Sequence, residues 1–275
     1  IRVNKMISEL TQLAIKAAIE ASKNILPIYK SDDFEIEIKQ DNSPLTKADK
    51  AAHNIISSIL QESKIPILSE EGKSIPYETR KDWSRLWIVD PIDGTKEFIK
   101  RNGEFTVNVA LIENNTPVIG IVIAPASGII YFSEKNVGSF KSTVNFDSFD
   151  YENILSKAQL LPTHNKIETF TVLVSRSHLS KETEAYVENL RKKHKKIKFM
   201  SKGSSLKLCL VAEGKANCYP RFAPTMEWDT AAGHAICKFA GCELTDIKTN
   251  KEMIYNRKEL TNNWFVVQNR ANHLD

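Results

Sequence analysis

Nine residues, Trp87-Ile88-Val89-Asp90-Pro91-Ile92-Asp93-Gly94-Thr95, constrain this chain more than any other stretch. Three apolar residues run into an acid, as at the end of a strand. Pro91, with a fixed φ and no N–H to give a ladder, is expected to stop that strand. A second acid follows three residues after the first. Gly94 permits a tight turn, and Thr95 opens a segment, Lys96 to Arg101, that can turn helical. The reading is strand, turn, helix, with two carboxylates on the turn and backbone N–H groups behind them.

Such a turn suits a metal ion and a phosphate together. Two carboxylates roughly 5 Å apart repel by about 3 kcal/mol at an effective dielectric constant of about 20. A hard divalent cation removes that cost, and an all-oxygen ligand set selects Mg²⁺ over Zn²⁺. Unpaired N–H groups at a helix start can hold phosphate oxygens. The plainer alternative, that Asp90 and Asp93 are only turn and N-cap residues, stays open at this level.

Bulk properties set the outer limits. With 41% hydrophobic and 26% charged residues, the 275-residue chain has an ordinary globular composition. It is long enough for one large core or two modest ones. A net charge of +4 is too small to demand a nucleic-acid partner and is compatible with a small polyanionic substrate. No run approaches the apolar length of a transmembrane helix, and no signal-peptide pattern is seen at the start. Cys209, Cys218, Cys237 and Cys242 form no Cys-x-x-Cys pair, so buried free thiols are expected.

Taken in order, Met6 to Tyr29 has helical apolar spacing and is expected to end near Pro27. Phe34, Ile36 and Ile38 alternate with charged residues as in a strand. Asp41 to Asp49 reads as a turn leading into a second helix, with Asp49 in its first turn. Ile65 to Leu68 is a short apolar strand that ends in Glu70, Glu71 and Gly72. After Gly103, the segments Phe105–Ile112, Pro117–Ala124 and Gly128–Phe132 predict an antiparallel meander. The weakly patterned stretch from Asn136 to Thr163 is a place for a boundary, giving halves of residues 1–150 and 151–275. In the second half, Phe170 to Val174 is strand-like and enters Ser175–His178. Ser180 to His194 is a helix with a basic last turn, read as a solvated face. Gly203-Ser204-Ser205 opens a helix, and Asp229 precedes an alanine-rich one, where it serves as an N-terminal cap. His234 is read as structural, and Trp264 to Gln268 as a final strand.

Several of these segments carry a resemblance. Asp90-Pro-Ile-Asp-Gly-Thr95 followed by Phe98 resembles the signature of the inositol monophosphatase superfamily. Lys96 to Asn108 is similar to its CysQ-type 3'(2'),5'-bisphosphate nucleotidase branch. Ser43-Pro-Leu-Thr-x-Ala-Asp49, Ser69-Glu-Glu71 and Trp228-Asp-x-Ala-Ala232 fit the same pattern, which spans about residues 6 to 270.

The resemblance implies an α/β (α+β) fold, a layered αβαβα sandwich of the sugar-phosphatase type. The first half would carry Glu70, Asp90 and Asp93, and the second Asp229 and the substrate contacts. It implies metal ligation by Glu70, Asp90, the Ile92 carbonyl, Asp93 and Asp229. Four carboxylates would be nearly neutralised by two Mg²⁺, with a third ion near Asp49. Glu70, Thr95 and Asp49 would orient the attacking water. Substrate would meet Ile92, Asp93, Gly94, Thr95, Ser204, Lys207, Tyr219, Arg221 and Asp229, with Phe222 also lining the nucleotide pocket. The implied reaction is hydrolysis of 3'-phosphoadenosine 5'-phosphate to AMP and phosphate, in sulfur assimilation and nucleotide recycling. Lithium sensitivity is implied with it. The implied state is a cytoplasmic monomer or weak homodimer, peripheral on the inner membrane in some bacterial relatives, with no nucleic-acid partner. An inositol monophosphatase or sugar bisphosphatase is the alternative enzyme; a nucleotide- or nucleic-acid-binding module using the basic patch is the alternative without chemistry.

Overall fold

The computed structural model describes residues 7–31, 34–39, 44–148, 150–164, 168–174 and 180–269. The expectations placed on Asp41–Ser43 and on Ser175–His178 lie outside these residues.

Helix α1 (Glu9–Lys30) starts where the Ser8 hydroxyl accepts the Thr11 N–H. It runs through Pro27 rather than stopping there. Proline forfeits one helical hydrogen bond, but its φ is helical, and close to a helix end that loss is tolerated. The expected strand around Ile36 shrinks to β1 (Glu37–Ile38), paired antiparallel with β2 (Pro44–Leu45). Ile36 and Ile38 are exposed, because among the described residues no second layer covers this ribbon. Helix α2 (Lys47–Leu60) follows and packs beside α1.

A seven-stranded sheet forms the next layer. Strand β3 (Ile67–Ser69) lies parallel to β4 (Arg85–Asp93), with the short α3 (Tyr77–Arg80) between them in sequence. After α4 (Thr95–Ile99), strands β5 (Thr106–Glu113), β6 (Thr116–Ala124), β7 (Ile129–Glu134) and β8 (Gly138–Thr143) form the antiparallel meander. The weakly patterned stretch supplies α5 (Tyr151–Ser156) and an edge strand, β9 (Gln159–Leu160), of the same sheet. Both faces of the sheet are covered, so its strands read as nearly continuous apolar runs. Trp87, Val89, Val107, Val109 and Ile121 join the core of α1 and α2. Leu86, Ile88, Ala110, Ile112 and Val122 join the opposite core.

That second core is built on the middle helices. Strand β10 (Phe170–Val174), α6 (Lys181–Lys193) and β11 (Ile197–Ser201) lead into α7 (Leu206–Ala212), β12 (Cys218–Arg221) and α8 (Glu227–Phe239). The chain then adds β13 (Cys242–Asp246), β14 (Lys251–Glu252) and β15 (Phe265–Asn269). The second sheet has the order β11-β10-β12-β15-β13-β14. Helices α7 and α8 lie between the two sheets, and α6 packs on the outer face of the second through Val187 and Leu190. The layering is therefore αβαβα. Gly120 on β6 makes it possible for α8 to lie this close. A Cβ there would stand 2.4 Å from the Ala232 carbonyl oxygen and 2.7 Å from Ala235 Cβ. His234 is buried in α8, where its Nδ1 lies 3.0 Å from the Tyr255 hydroxyl and its Nε2 3.3 Å from Glu252. The four cysteines are free and buried.

Candidate metal and phosphate site

The site grows from the end of β4. Pro91 does not stop that strand. Asp90 pairs with Asn108 and Asp93 with Thr106, so β4 carries one residue more than β5 over this step. This is a β-bulge, a place where a proline costs no ladder bond and where successive side chains are re-aimed. Gly94 then takes φ +90°, a region favourable to glycine, and the site of its missing Cβ lies 3.2 Å from the Glu104 carbonyl oxygen. Thr95 opens the five-residue α4.

Carboxylate oxygens of Asp90, Asp93 and Asp229 lie within 4.8 Å of one another. Asp90 is buried, and among the described residues neither of its oxygens meets a hydrogen-bond donor. Burial, reinforced by the charges of Glu70, Asp93 and Asp229, holds its carboxyl well above the usual range. Burial and then the Asp93 charge push Asp229 up to about 8. Protein groups do not neutralise this trio, and an ion-free site of this kind retains protons that a divalent cation would displace.

Glu70 stands beside the trio rather than within it. Burial raises its pKa, opposed by Lys39, whose Nζ donates to Glu70 Oε1 at 2.8 Å. The same ammonium is paired with Glu71. Asp49 is 1% exposed, and burial pushes it up to about 6 against two stabilising bonds from Thr46. Those bonds, from the Thr46 N–H at 2.8 Å and hydroxyl at 2.6 Å, both reach Oδ2. The other oxygen, Oδ1, lies 3.3 Å from the Thr95 hydroxyl, which is also 3.3 Å from the Ile92 carbonyl oxygen. Asp49, Ile92 and Thr95 therefore meet.

Three residues at the site do not stand out in the sequence alone. Asn108 Nδ2 donates to Ser205 Oγ at 2.8 Å, and Ser205 Oγ donates to Asp93 Oδ2 at 2.7 Å. This relay fixes the orientation of Asp93. Asn108 is the one amide in the apolar run Phe105–Ile112, which is a usable signal. Lys39 gave no such signal, because on an exposed ribbon it reads as one more surface charge.

A cleft of about 170 Å³ adjoins the acids, lined in part by Asp93, Ser204, Lys207, Tyr219, Arg221 and Asp229. Lys207 Nζ donates to the carbonyl oxygens of Ser204 at 2.8 Å and Lys202 at 3.2 Å, and lies 5.5 Å from the centre of the Tyr219 ring. Burial brings its pKa down to about 8, against the pull of Asp93. The Ser204 hydroxyl and Arg221 Nε are buried without a partner among the described residues. Arg221 also donates from Nη2 to the Pro224 carbonyl oxygen at 3.2 Å. Phe222 does not line this cleft. Tyr219 and Arg221 share the cleft face of β12, whereas Phe222 packs at 5.5 Å from Tyr186 and 5.8 Å from Trp264.

An acidic bulge at the end of a strand one in from the sheet edge, closed by the N-terminus of a helix between two sheets, defines a class of α/β protein. The profile of the Inositol monophosphatase family matches residues 6–274, and the chain belongs to that family. The 3'(2'),5'-bisphosphate nucleotidase CysQ of Salmonella typhimurium is 43% identical over 244 residues, covering 88% of this chain and 90% of that protein. The crystal structure of CysQ from Bacteroides thetaiotaomicron superposes with a TM-score of 0.85 at 47% identity, covering 94% of this chain and 97% of the other. An inositol monophosphatase from Staphylococcus aureus shares the fold at 20% identity, with a TM-score of 0.73 over 96% of this chain and 90% of its own. Among the described residues no helix is long and apolar enough to cross a membrane.

Proposed function

We propose that this chain is a Mg²⁺-dependent 3'(2'),5'-bisphosphate nucleotidase that hydrolyses 3'-phosphoadenosine 5'-phosphate to AMP and phosphate. The observation that carries this reading is the unneutralised Asp90–Asp93–Asp229 trio opening onto a cleft that also holds Lys207 and Arg221. The high identity to nucleotidases over nearly the whole chain supports the choice of substrate.

The residues fit a metal. Asp90 offers two buried oxygens without partners, and the donor set is all oxygen, which suits Mg²⁺. Asp90, Asp93, Asp229, Glu70 and the Ile92 carbonyl would hold two ions, with a third near Asp49. When bound, the ions supply charge to offset the phosphate and make water a better nucleophile. The protein's own groups do the positioning. The Thr95 hydroxyl, anchored between Asp49 and the Ile92 carbonyl, accepts a hydrogen bond from water and aims its lone pair at phosphorus. Glu70 helps orient that water. Backbone N–H groups of Gly94 and Thr95 donate to the reacting phosphate. Arg221, Lys207 and the Ser204 hydroxyl bind the second phosphate, whose charge offsets the burial that depresses the Lys207 pKa. The P–O bond to water forms as the bond to the 3'-oxygen breaks, and no side chain is phosphorylated.

The test is phosphate release from 3'-phosphoadenosine 5'-phosphate and from inositol 1-phosphate, each with Mg²⁺ and with EDTA. A Mg²⁺-dependent preference for the nucleotide supports the proposal. A preference for inositol phosphate keeps the metal chemistry and overturns the substrate. Activity untouched by EDTA removes the metal site.

A further inference from the structure

We propose that Glu104 is a positioning residue that sets the distance between the two phosphate-binding parts of the cleft, and so the preference for a bisphosphate over a monophosphate. The proposal rests on the function inferred above.

Glu104 lies in the connection between α4 and β5 and is 6% exposed. Its Oε2 accepts the Gly203 N–H at 2.8 Å, and its Oε1 accepts from Lys202 Nζ at 3.1 Å. The residue therefore grips, with both oxygens, the loop that enters α7. Its main chain meets the same two elements. The carbonyl oxygen of Glu104 lies 3.2 Å from where a Cβ on Gly94 would stand, and 2.8 Å from where one on Gly203 would stand. The Gly94 position is also 3.4 Å from Ser204 Cβ. The turn that holds the reacting phosphate and the loop that holds the second phosphate thus both rest on one residue. Neither glycine leaves room for a side chain to separate them.

The loop passes this constraint on. Ser204 takes φ +49°, which turns its carbonyl toward Lys207, and with the Lys202 carbonyl it fixes the Lys207 ammonium. Next in the chain, Ser205 bonds Asp93. A shift of Lys202 to Ser204 away from Glu104 would move Ser204 and release the Lys207 ammonium relative to Gly94, while Ser205, held by Asn108, Asp93 and the Asp229 carbonyl, stays with the acids of the site. An acid suits this position because it accepts from a backbone N–H and an ammonium together, and bonds with a charged acceptor are the stronger kind. Without it, a buried Gly203 N–H loses its partner.

The experiment compares wild type, Glu104→Ala, Glu104→Gln and Gly203→Ala on 3'-phosphoadenosine 5'-phosphate and on adenosine 3'-monophosphate, which lacks the second phosphate. In Glu104→Ala, KM for the bisphosphate is expected to rise at least tenfold with kcat within about threefold. The value of kcat/KM for the monophosphate is expected to fall no more than threefold. Glu104→Gln, which keeps an acceptor for Gly203, should recover most of the bisphosphate KM. Gly203→Ala places a methyl against the Glu104 carbonyl oxygen and Cβ, pushes the loop off Glu104 and should reproduce the selective loss, so the inference stays testable if Glu104→Ala does not fold. Equal proportional losses on both substrates, or no loss on either, would overturn the proposal. A wild-type enzyme that does not distinguish the two nucleotides would refute instead the functional reading beneath it.

Discussion

Removing divalent cations should make the stability of this protein fall as pH rises, and restoring them should cancel the fall. Asp90 and Asp229 have pKa values above those of an unfolded chain, chiefly through burial, and Asp229 reaches about 8. Between pH 4 and 8 the folded, metal-free protein therefore binds more protons than the unfolded chain, so the slope of stability with pH is negative. Their stabilising protons are fully present below about pH 4 and are lost as pH rises toward 8. From pH 5 to pH 8, one such carboxyl contributes at most about 4 kcal/mol. At about 2–4 °C per kcal/mol for a chain of this size, the metal-free Tm would drop by roughly 10 °C. Lysines and histidines titrate as well, so the quantity to follow is the gap between Tm in Mg²⁺ and Tm in EDTA at each pH. Groups remote from the site cancel in that gap. It should widen steadily from pH 5 to pH 8. A gap that stays constant over this range would refute the reasoning, because the acids would then not be the groups that hold the ions.

Three further substitutions follow from the geometry. Ser205→Ala removes the hydroxyl between Asn108 and Asp93, and metal affinity measured by calorimetry should weaken about 10- to 100-fold; a change under twofold would mean the relay does not orient Asp93. Arg221→Ala should cost more than tenfold in kcat/KM for the bisphosphate and far less for a simple monophosphate, and equal losses would remove Arg221 from the second-phosphate site. Gly120→Ala forces α8 off β6 and should destabilise by about 1–3 kcal/mol in chemical denaturation, whereas a neutral result would show that the helix can slide at no cost.

The fold was legible where a local signal coincided with burial. The apolar runs of β4 to β7 are nearly continuous because both sheet faces are covered, and their turns are marked by Glu-Asn-Asn-Thr and Pro-Ala-Ser-Gly. The chain reads poorly where tertiary partners decide. Pro27 stays helical, Pro91 sits in a bulge, and the alternation at Ile36 and Ile38 finds no layer to bury it. The same limit applies to the site. Asp90, Asp93 and Gly94 are adjacent in sequence and announce themselves. Ser205 reaches Asp93 across 112 positions, and Glu104 reaches Gly203 across 99, and no spacing rule brings such pairs together.

The two readings of the acids also prove compatible rather than exclusive. Asp49 accepts two bonds from Thr46 at the start of α2 with Oδ2, and turns Oδ1 toward Thr95. Asp229 accepts the Met226 N–H at 2.8 Å with Oδ2, at the start of α8, and still brings a carboxylate oxygen into the trio. Each is a helix cap and a site residue at once. Capping fixes the side-chain rotamer without help from an ion, so the remaining oxygen is pre-aimed before any cation arrives, and less ordering is left for binding to impose. It also explains why neither acid stands out in sequence as more than a cap. Asp90 lacks this dual use. It sits inside the strand, meets no hydrogen-bond donor among the described residues with either oxygen, and so carries the clearest signal that something outside the chain completes it.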